Sequence, residues 1–434
     1  MRLGVAAAVV DGTLVRGDVE VENGLIASVG LARGGSGIAV PGLVDLQVNG
    51  FHGVDVLQAT SDEIALLGVE LARAGVLWYQ PTLVTAPPEL TRLALATIGS
   101  AAGGRGARIL GAHLEGPFLS PERAGAHPVR LLREPNLDLL ASFLVAGCAV
   151  GTVTLAPELP RAGELVDALV DRGIVVSLGH TDATAMVARA AFDQGARTVT
   201  HLFNAMRPFA HRDPGLAGVA LARPDVVVQL IADGVHLAPE TILTAWRAAR
   251  RRLALVSDVT AAGGLGDGTF RLGTVEVHVD GGVSRLADGT LAGAVRPLAW
   301  GLRMLVELGV PIVEAVDAVT RTPARVLGRE DVGALSIGGP ADLVVLDDDF
   351  AVGTVLVGGE PGWWREPLPP RPPTSRRADL AADAEWVREH LLPWLGRRLR
   401  GVSSGDGREP KDTSLRLVLA AGTELDAHGR GHDG

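Results

Sequence analysis

Three residues have the types and the setting to hold a metal ion. Ile109-Leu-Gly-Ala-His-Leu-Glu-Gly-Pro-Phe118 runs apolar like a buried strand and places a carboxylate, Glu115, directly before a Gly-Pro pair at which a strand must stop. Ile174-Val-Val-Ser-Leu-Gly-His180 and Arg197-Thr-Val-Thr-His201 end the same way, each delivering an imidazole. A charge at the mouth of an apolar strand needs a partner. One carboxylate and two imidazoles at three strand ends suit a borderline-soft divalent metal. Zinc is the first choice, with Fe2+, Co2+ and Mn2+ as alternatives. With three protein ligands it keeps a position for water and lowers that water's pKa to about 7. A satisfied core residue competes as the explanation of either histidine taken singly; the three together carry the metal.

Asp258, in Leu255-Val-Ser-Asp-Val-Thr, ends a later strand-like run. A carboxylate there is placed to take a proton from water and return it to a leaving nitrogen, with a helix cap or a partner of a ligand as the competing roles. His113 precedes Glu115 by two residues, one layer deeper on the same strand face, where a core role is favoured over ligation. Gln47 and Asn49 stand where a His-x-His pair would support a second metal, and amides are weak ligands, so one metal per subunit is expected. Asn204, His211 and Arg212 follow the His201 strand as donors, and the Arg212 guanidinium suits an anionic group such as phosphate, against the plainer reading of a solvated arginine. His127 and His236 sit on loops expected to face the same mouth, each a weak signal alone.

These residues need a frame that brings many strand ends to one face. Strand-length apolar runs recur near 43–49, 77–84, 109–115, 150–155, 174–180, 197–201, 226–232 and 253–258, separated mostly by helical stretches near 61–74, 88–102, 136–146, 161–172, 183–194 and 238–250. Buried strands alternating with helices over this length predict an α/β fold, a (β/α)8 barrel of the TIM type. Gln47, Asn49, Glu115, His180, His201, Asp233, His236 and Asp258 all fall at or beyond strand C-termini, which converge in a barrel. Thr269–Ser284 alternates like a hairpin inserted above the mouth, and helices are predicted near 296–308 and 313–327. Residues 1–40, with Asp11-Gly12 and Asn23-Gly24 as turns, and 329–360 read as short strands that together form a small β-sandwich beside a barrel at 41–328. From 361 to 434 the chain reads as a Pro/Arg-rich linker, a helix near 378–399 interrupted by Pro393, and a disordered tail.

Composition closes off other classes. The net charge is −10 and no dense basic stripe appears, which argues against nucleic-acid binding. No apolar run reaches the roughly 20 residues of a membrane helix, and the N-terminus lacks a signal-peptide pattern, so a cytoplasmic protein is expected. The single cysteine, Cys148, has no internal disulfide partner, and the only lysine, Lys411, lies in the tail, which leaves no body lysine for a Schiff base or a metal bridge.

The motifs resemble those of the amidohydrolase superfamily, and within it the N-acetylglucosamine-6-phosphate deacetylase family. They are Pro-Gly-Leu-Val-Asp-Leu-Gln-Val-Asn-Gly at 41–50, His-Leu-Glu-Gly-Pro at 113–117, Gly-His-Thr at 179–181, His-Leu-Phe-Asn-Ala-Met at 201–206, Ala-Asp-Gly-Val-His at 232–236, Ser-Asp-Val-Thr-Ala at 257–261 and Leu-Ala-Gly at 291–293. The resemblance implies that Glu115, His180 and His201 hold the metal, that Asp258 is the catalytic acid/base, and that His127 assists at the oxyanion. Gln47, Ala126, His127, Asn204, Ala205, Arg212, Asp233, His236, Leu291, Ala292 and Gly293 are the implied contacts to a sugar phosphate. It also implies a homodimer and hydrolysis of N-acetyl-D-glucosamine 6-phosphate to D-glucosamine 6-phosphate and acetate. A cyclic-amide hydrolase or deaminase on the same barrel is the alternative. Ala294 departs from the serine that many members carry after Leu-Ala-Gly.

Overall fold

A computed structural model describes residues 1–32, 35–101, 106–362 and the pairs 417–418 and 424–425. Eight strands build the barrel: β1 (Leu43–Val48), β2 (Val76–Val84), β3 (Ala112–Glu115), β4 (Val150–Leu155), β5 (Val175–Leu178), β6 (Thr198–Val199), β7 (Val227–Leu230) and β8 (Leu253–Leu255). Each pairs in parallel with the next. Between β8 and β1 the ring closes through an isolated Val48–Val259 bridge, with the Asp258 N–H donating to Gln47 O at 3.1 Å and the Asn49 N–H to Val259 O at 2.8 Å. β1 is buried along its whole length, as a strand covered on both sides must be.

The helices follow from amphipathic spacing and caps. Ser61–Arg73 starts in a reciprocal capping box between Thr60 and Glu63 and buries Ile64, Leu67 and Leu71 on one face. Two helical expectations need correction. The stretch 313–327 is two helices, Ile312–Ala318 and Arg321–Val326, because Pro323 lacks an N–H and is accommodated in a first turn, where that donor is not needed. Gly215–Ala222 is a helix the periodicity did not reveal: Gly-Leu-Ala-Gly-Val-Ala-Leu-Ala has no polar face, and Gly215, Leu216, Ala217, Val219 and Ala220 are buried.

The strand ends also differ from the expectation. β5, β6 and β8 stop at Leu178, Val199 and Leu255, short of the residues that matter. His180, His201 and Asp258 then take left-handed backbone, with φ of +48°, +30° and +51°. Non-glycine residues pay of order 1 kcal/mol or more for that conformation, and such strain persists where the surroundings over-determine it.

A second sheet runs Thr13–Arg16, Ala7–Val10, Ile38–Pro41, Leu343–Leu346, Val352–Val357 and Glu360–Pro361, so strands from before and after the barrel share one ladder. The ribbon Asp18–Glu22 with Leu25–Leu31 packs with it over a core that includes Val5, Val19, Val21, Ile26, Leu343 and Leu356. Asp11-Gly12 and Asn23-Gly24 have positive φ at both positions, the geometry of tight hairpin turns. The expected hairpin above the mouth has three strands, Gly268–Leu272, Val275–Asp280 and Val283–Arg285. No described helix is long and apolar enough to cross a membrane.

The chain divides into two compact units, Met1–Gly362 and Trp363–Gly434. In the second, Leu417–Val418 pairs antiparallel with Glu424–Leu425, within the stretch expected to be disordered. The expected linker and the helix near 378–399 lie outside the described residues.

Candidate metal centre and substrate cleft

β3 carries Glu115 to the barrel mouth, and the left-handed turns after β5 and β6 bring His180 and His201 to it. Glu115 Oε1 lies 3.0 Å from His201 Nε2 and 3.2 Å from His180 Nε2, and the two imidazole nitrogens are 3.1 Å apart. All three side chains are buried. Burial alone pushes the Glu115 carboxyl up, but hydrogen bonds and charge from His180 and His201 outweigh it and hold the carboxyl well below its ordinary value. Burial opposes protonation of His201, and Glu115 more than offsets it, leaving the imidazole raised.

The tautomers of the three rings bear on which donors suit a cation. His180 Nδ1–H donates to Arg123 O at 3.0 Å, which leaves the Nε2 lone pair facing the centre. A second grouping, Glu115, His127 and His180, also offers donor atoms within 4.8 Å of one another. His127 fits worse as a ligand. The Thr85 N–H donates to its Nδ1 at 3.2 Å, so the neutral ring carries its hydrogen on Nε2, 3.8 Å from Glu115 Oε2. Burial, then the positive potential of His180, lowers His127 to about 3 and keeps it neutral. Glu115, His180 and His201 therefore have the chemistry of a metal triad, and His127 that of a neutral hydrogen-bond donor beside it.

Asp258 faces this triad from the turn after β8. Gln47 Nε2 donates both to Asp258 Oδ1 at 2.9 Å and to Glu115 Oε1 at 3.0 Å, and Asn49 Nδ2 donates to Asp258 Oδ1 at 2.7 Å. Burial, with Glu115 nearby, raises the Asp258 carboxyl to about 6, a value suited to exchanging protons near neutrality. Beneath Glu115, His113 donates from Nδ1 to Leu46 O at 3.1 Å and accepts from Thr154 Oγ at 2.7 Å. Burial lowers it to about 4, so it is a neutral core partner.

A cleft opens above the centre. Among the residues singled out from the sequence, Glu115, Ala126, His127, His180, His201, Asn204, Ala205, His236, Asp258, Leu291 and Gly293 line it, as does Asn49. Gln47 lies beneath, fully buried. Ala292 is buried outside the lining. Asp233 accepts from His236 Nδ1 at 2.8 Å and so directs that ring. Burial opposes ionisation of Asp233, but the His236 bonds prevail and lower it. His211 and Arg212 are exposed and outside the lining. They occupy a turn closed by reciprocal backbone bonds between Ala210 and Asp213, 3.1 Å each, and anchored where Arg207 Nε donates to Asp213 at 2.8 Å.

Sequence reasoning passed over several contributors. Arg123 and Thr85 sit on connections, where no periodicity marks them, and Leu272 ends the first strand of the inserted hairpin. Asp45 had a signal: it alternates with Gln47 on β1 and so shares its inward face.

The chain is similar to known proteins over most of its length. The model of the amidohydrolase family matches residues 38–362. N-acetylglucosamine-6-phosphate deacetylase from Mus musculus is 42% identical over 77% of this chain and 86% of that protein. N-acetylgalactosamine-6-phosphate deacetylase from Escherichia coli O157:H7 is 36% identical over 81% of this chain and 96% of that protein. Among solved structures, a variant of N-acetyl-D-glucosamine-6-phosphate deacetylase from Mycobacterium smegmatis in complex with N-acetyl-D-glucosamine-6-phosphate superposes with a TM-score of 0.78 at 36% identity, covering 83% of this chain and 99% of that one.

Proposed function

The chain belongs to the amidohydrolase family, and within it to the N-acetylglucosamine-6-phosphate deacetylases, and from that premise we propose that it hydrolyses N-acetyl-D-glucosamine 6-phosphate to D-glucosamine 6-phosphate and acetate. The observation that carries this reading is the convergence of Glu115, His180 and His201 on one point, with Asp258 joined to the same point through Gln47.

Glu115, His180 and His201 would hold one divalent ion per subunit, zinc by preference. Bound there, the ion supplies a Lewis acid that polarises the scissile carbonyl and acidifies water. The chain's own groups do the rest. Asp258, fixed by Gln47 and Asn49, removes a proton from the attacking water, whose oxygen bonds to the acetyl carbon. As the C–N bond breaks, Asp258 returns that proton to the departing nitrogen, and acetate leaves. His127, neutral with its hydrogen on Nε2, donates to the oxygen on which negative charge grows. His236, Asn204, Ala205 and the 291–293 segment orient the sugar, with Gln47, Asp233, Ala126 and Ala292 in support. Arg212, at the tip of its anchored turn, receives the phosphate.

The same reading assigns 1–40 and 329–360 to one β-sandwich, 41–328 to the barrel and 361–434 to an appendage, and the working form to a cytoplasmic homodimer. Acetate release from N-acetylglucosamine 6-phosphate by metal-loaded protein tests the function, with unphosphorylated N-acetylglucosamine as control. No release above the control would overturn it.

A further inference from the structure

Asp45 has no part in the chemistry above, yet it is 1% exposed and lies beneath the catalytic carboxylate. Asp45 and Gln47 alternate on the inward face of β1 with Asn49 just beyond its end, and all three reach the end of β8. Gln47 and Asn49 hold the Asp258 carboxylate directly. Asp45 holds the backbone below it: its Oδ1 accepts the N–H of Ser257 at 3.2 Å and that of Gln47 at 3.2 Å. Ser257 Oγ donates in turn to Gln47 O at 3.3 Å.

The place is unusual within the barrel. Every other neighbouring pair of barrel strands is joined by a parallel ladder, whereas β8 meets β1 through isolated contacts. At this seam the buried Ser257 N–H finds its acceptor in a side chain, and the next residue, Asp258, has a φ of +51°. A strained residue stays where its neighbours are fixed.

We propose that Asp45 is a positioning residue for the deacetylation, whose Oδ1 pins the Ser257 backbone and so keeps the Asp258 carboxylate where it exchanges protons with substrate. The acceptor atom does this, not the charge. The other oxygen, Oδ2, is buried with no partner among the described residues and takes the proton when there is one, leaving Oδ1 free to accept in both forms. The metal triad stands at the ends of β3, β5 and β6 and meets this seam through the Gln47 amide on Glu115, and Gln47 is not itself one of the ligands, so the three ligands should remain in place without Asp45.

The inference rests on the deacetylase reading, and the test separates the two. Absence of acetate release by the wild type would sink that reading; the inference stands or falls on variants compared with an active wild type. Asp45→Ala should lower kcat about 100-fold, the usual effect of a displacement near 1 Å at a reacting group, with KM within threefold and metal stoichiometry unchanged. Asp45→Asn keeps an oxygen acceptor and should restore kcat to within about fivefold of wild type. If Asp45→Ala does not fold, Asp45→Ser, whose shorter side chain falls short of the Ser257 N–H, is measured in its place with the same expectation. A kcat within threefold of wild type in the shortened variant, loss of metal together with activity, or an Asp45→Asn variant as slow as the shortened one would each overturn the proposal.

Discussion

The centre of the cleft and the turn that carries Arg212 are built on opposite plans. At the centre, Glu115, His180 and His201 are 2%, 5% and 4% exposed, come from barrel strands or the first turns beyond them, and lie 3.0–3.2 Å from one another. Outside the cleft lining, Arg212 is exposed on a turn held by the Arg207–Asp213 pair, itself partly exposed. Exposed pairs contribute about 0–1 kcal/mol, so that turn is held far less firmly than the strand ends. Such a division suits a site whose reacting atoms must be fixed beforehand while a remote anionic group must enter and leave.

The contrast breaks first at the centre. Glu115→Ala or His180→Ala should abolish both tight metal binding and turnover, measured as metal per chain and acetate released; a second equally tight equivalent of metal in the wild type would contradict a one-metal centre. Asp258→Asn removes the proposed proton carrier and leaves the ligands in place. Its kcat should fall about 10²- to 10⁴-fold with the metal retained, and near wild-type turnover in the loaded variant would exclude the role.

A substitution on the exposed turn should behave differently. Arg212→Ala removes the proposed charge-assisted contact to the phosphate, distant from the reacting amide and worth roughly 1.5–3 kcal/mol. The expected loss in kcat/KM is about 10- to 150-fold, mainly in KM, and confined to the phosphorylated sugar. An equal loss on the unphosphorylated sugar would mean that Arg212 serves the fold.

Two smaller effects sharpen the comparison. Burial raises the Asp45 carboxyl from 3.8 to about 7. A carboxyl raised on folding contributes stability that is present below its unfolded value and is lost as pH rises through its folded one. Wild-type Tm should therefore drop relative to Asp45→Asn between pH 5 and pH 8, and parallel curves would refute the raised value. A chain ending at Gly362, where the first compact unit ends, should keep kcat/KM within about twofold, and a larger loss would give the remaining residues a part in the site.

Much of the centre was legible because strand chemistry is local. An apolar run that ends in a charged or imidazole group announces a strand mouth, and the alternation of strands with helices announces the barrel that gathers such mouths. Gly215–Ala222 escaped because a helix buried all round has no period, and Ile312–Ala318 merged with Arg321–Val326 because both continue one apolar pattern.

Residue types and their order along the chain thus set the barrel, the carboxylate and the histidines at its mouth, and the amides at 47 and 49 in place of further histidines. Only the tertiary structure decided which nitrogen of each ring faces inward, since that depends on Arg123 O behind His180 and the Thr85 N–H behind His127, groups remote in sequence. It alone placed Asp45 against Ser257 across the seam and left Arg212 outside the lining of the cleft. Hydrogen bonds between distant segments carry no periodicity, so they become visible once the ring of strands has closed.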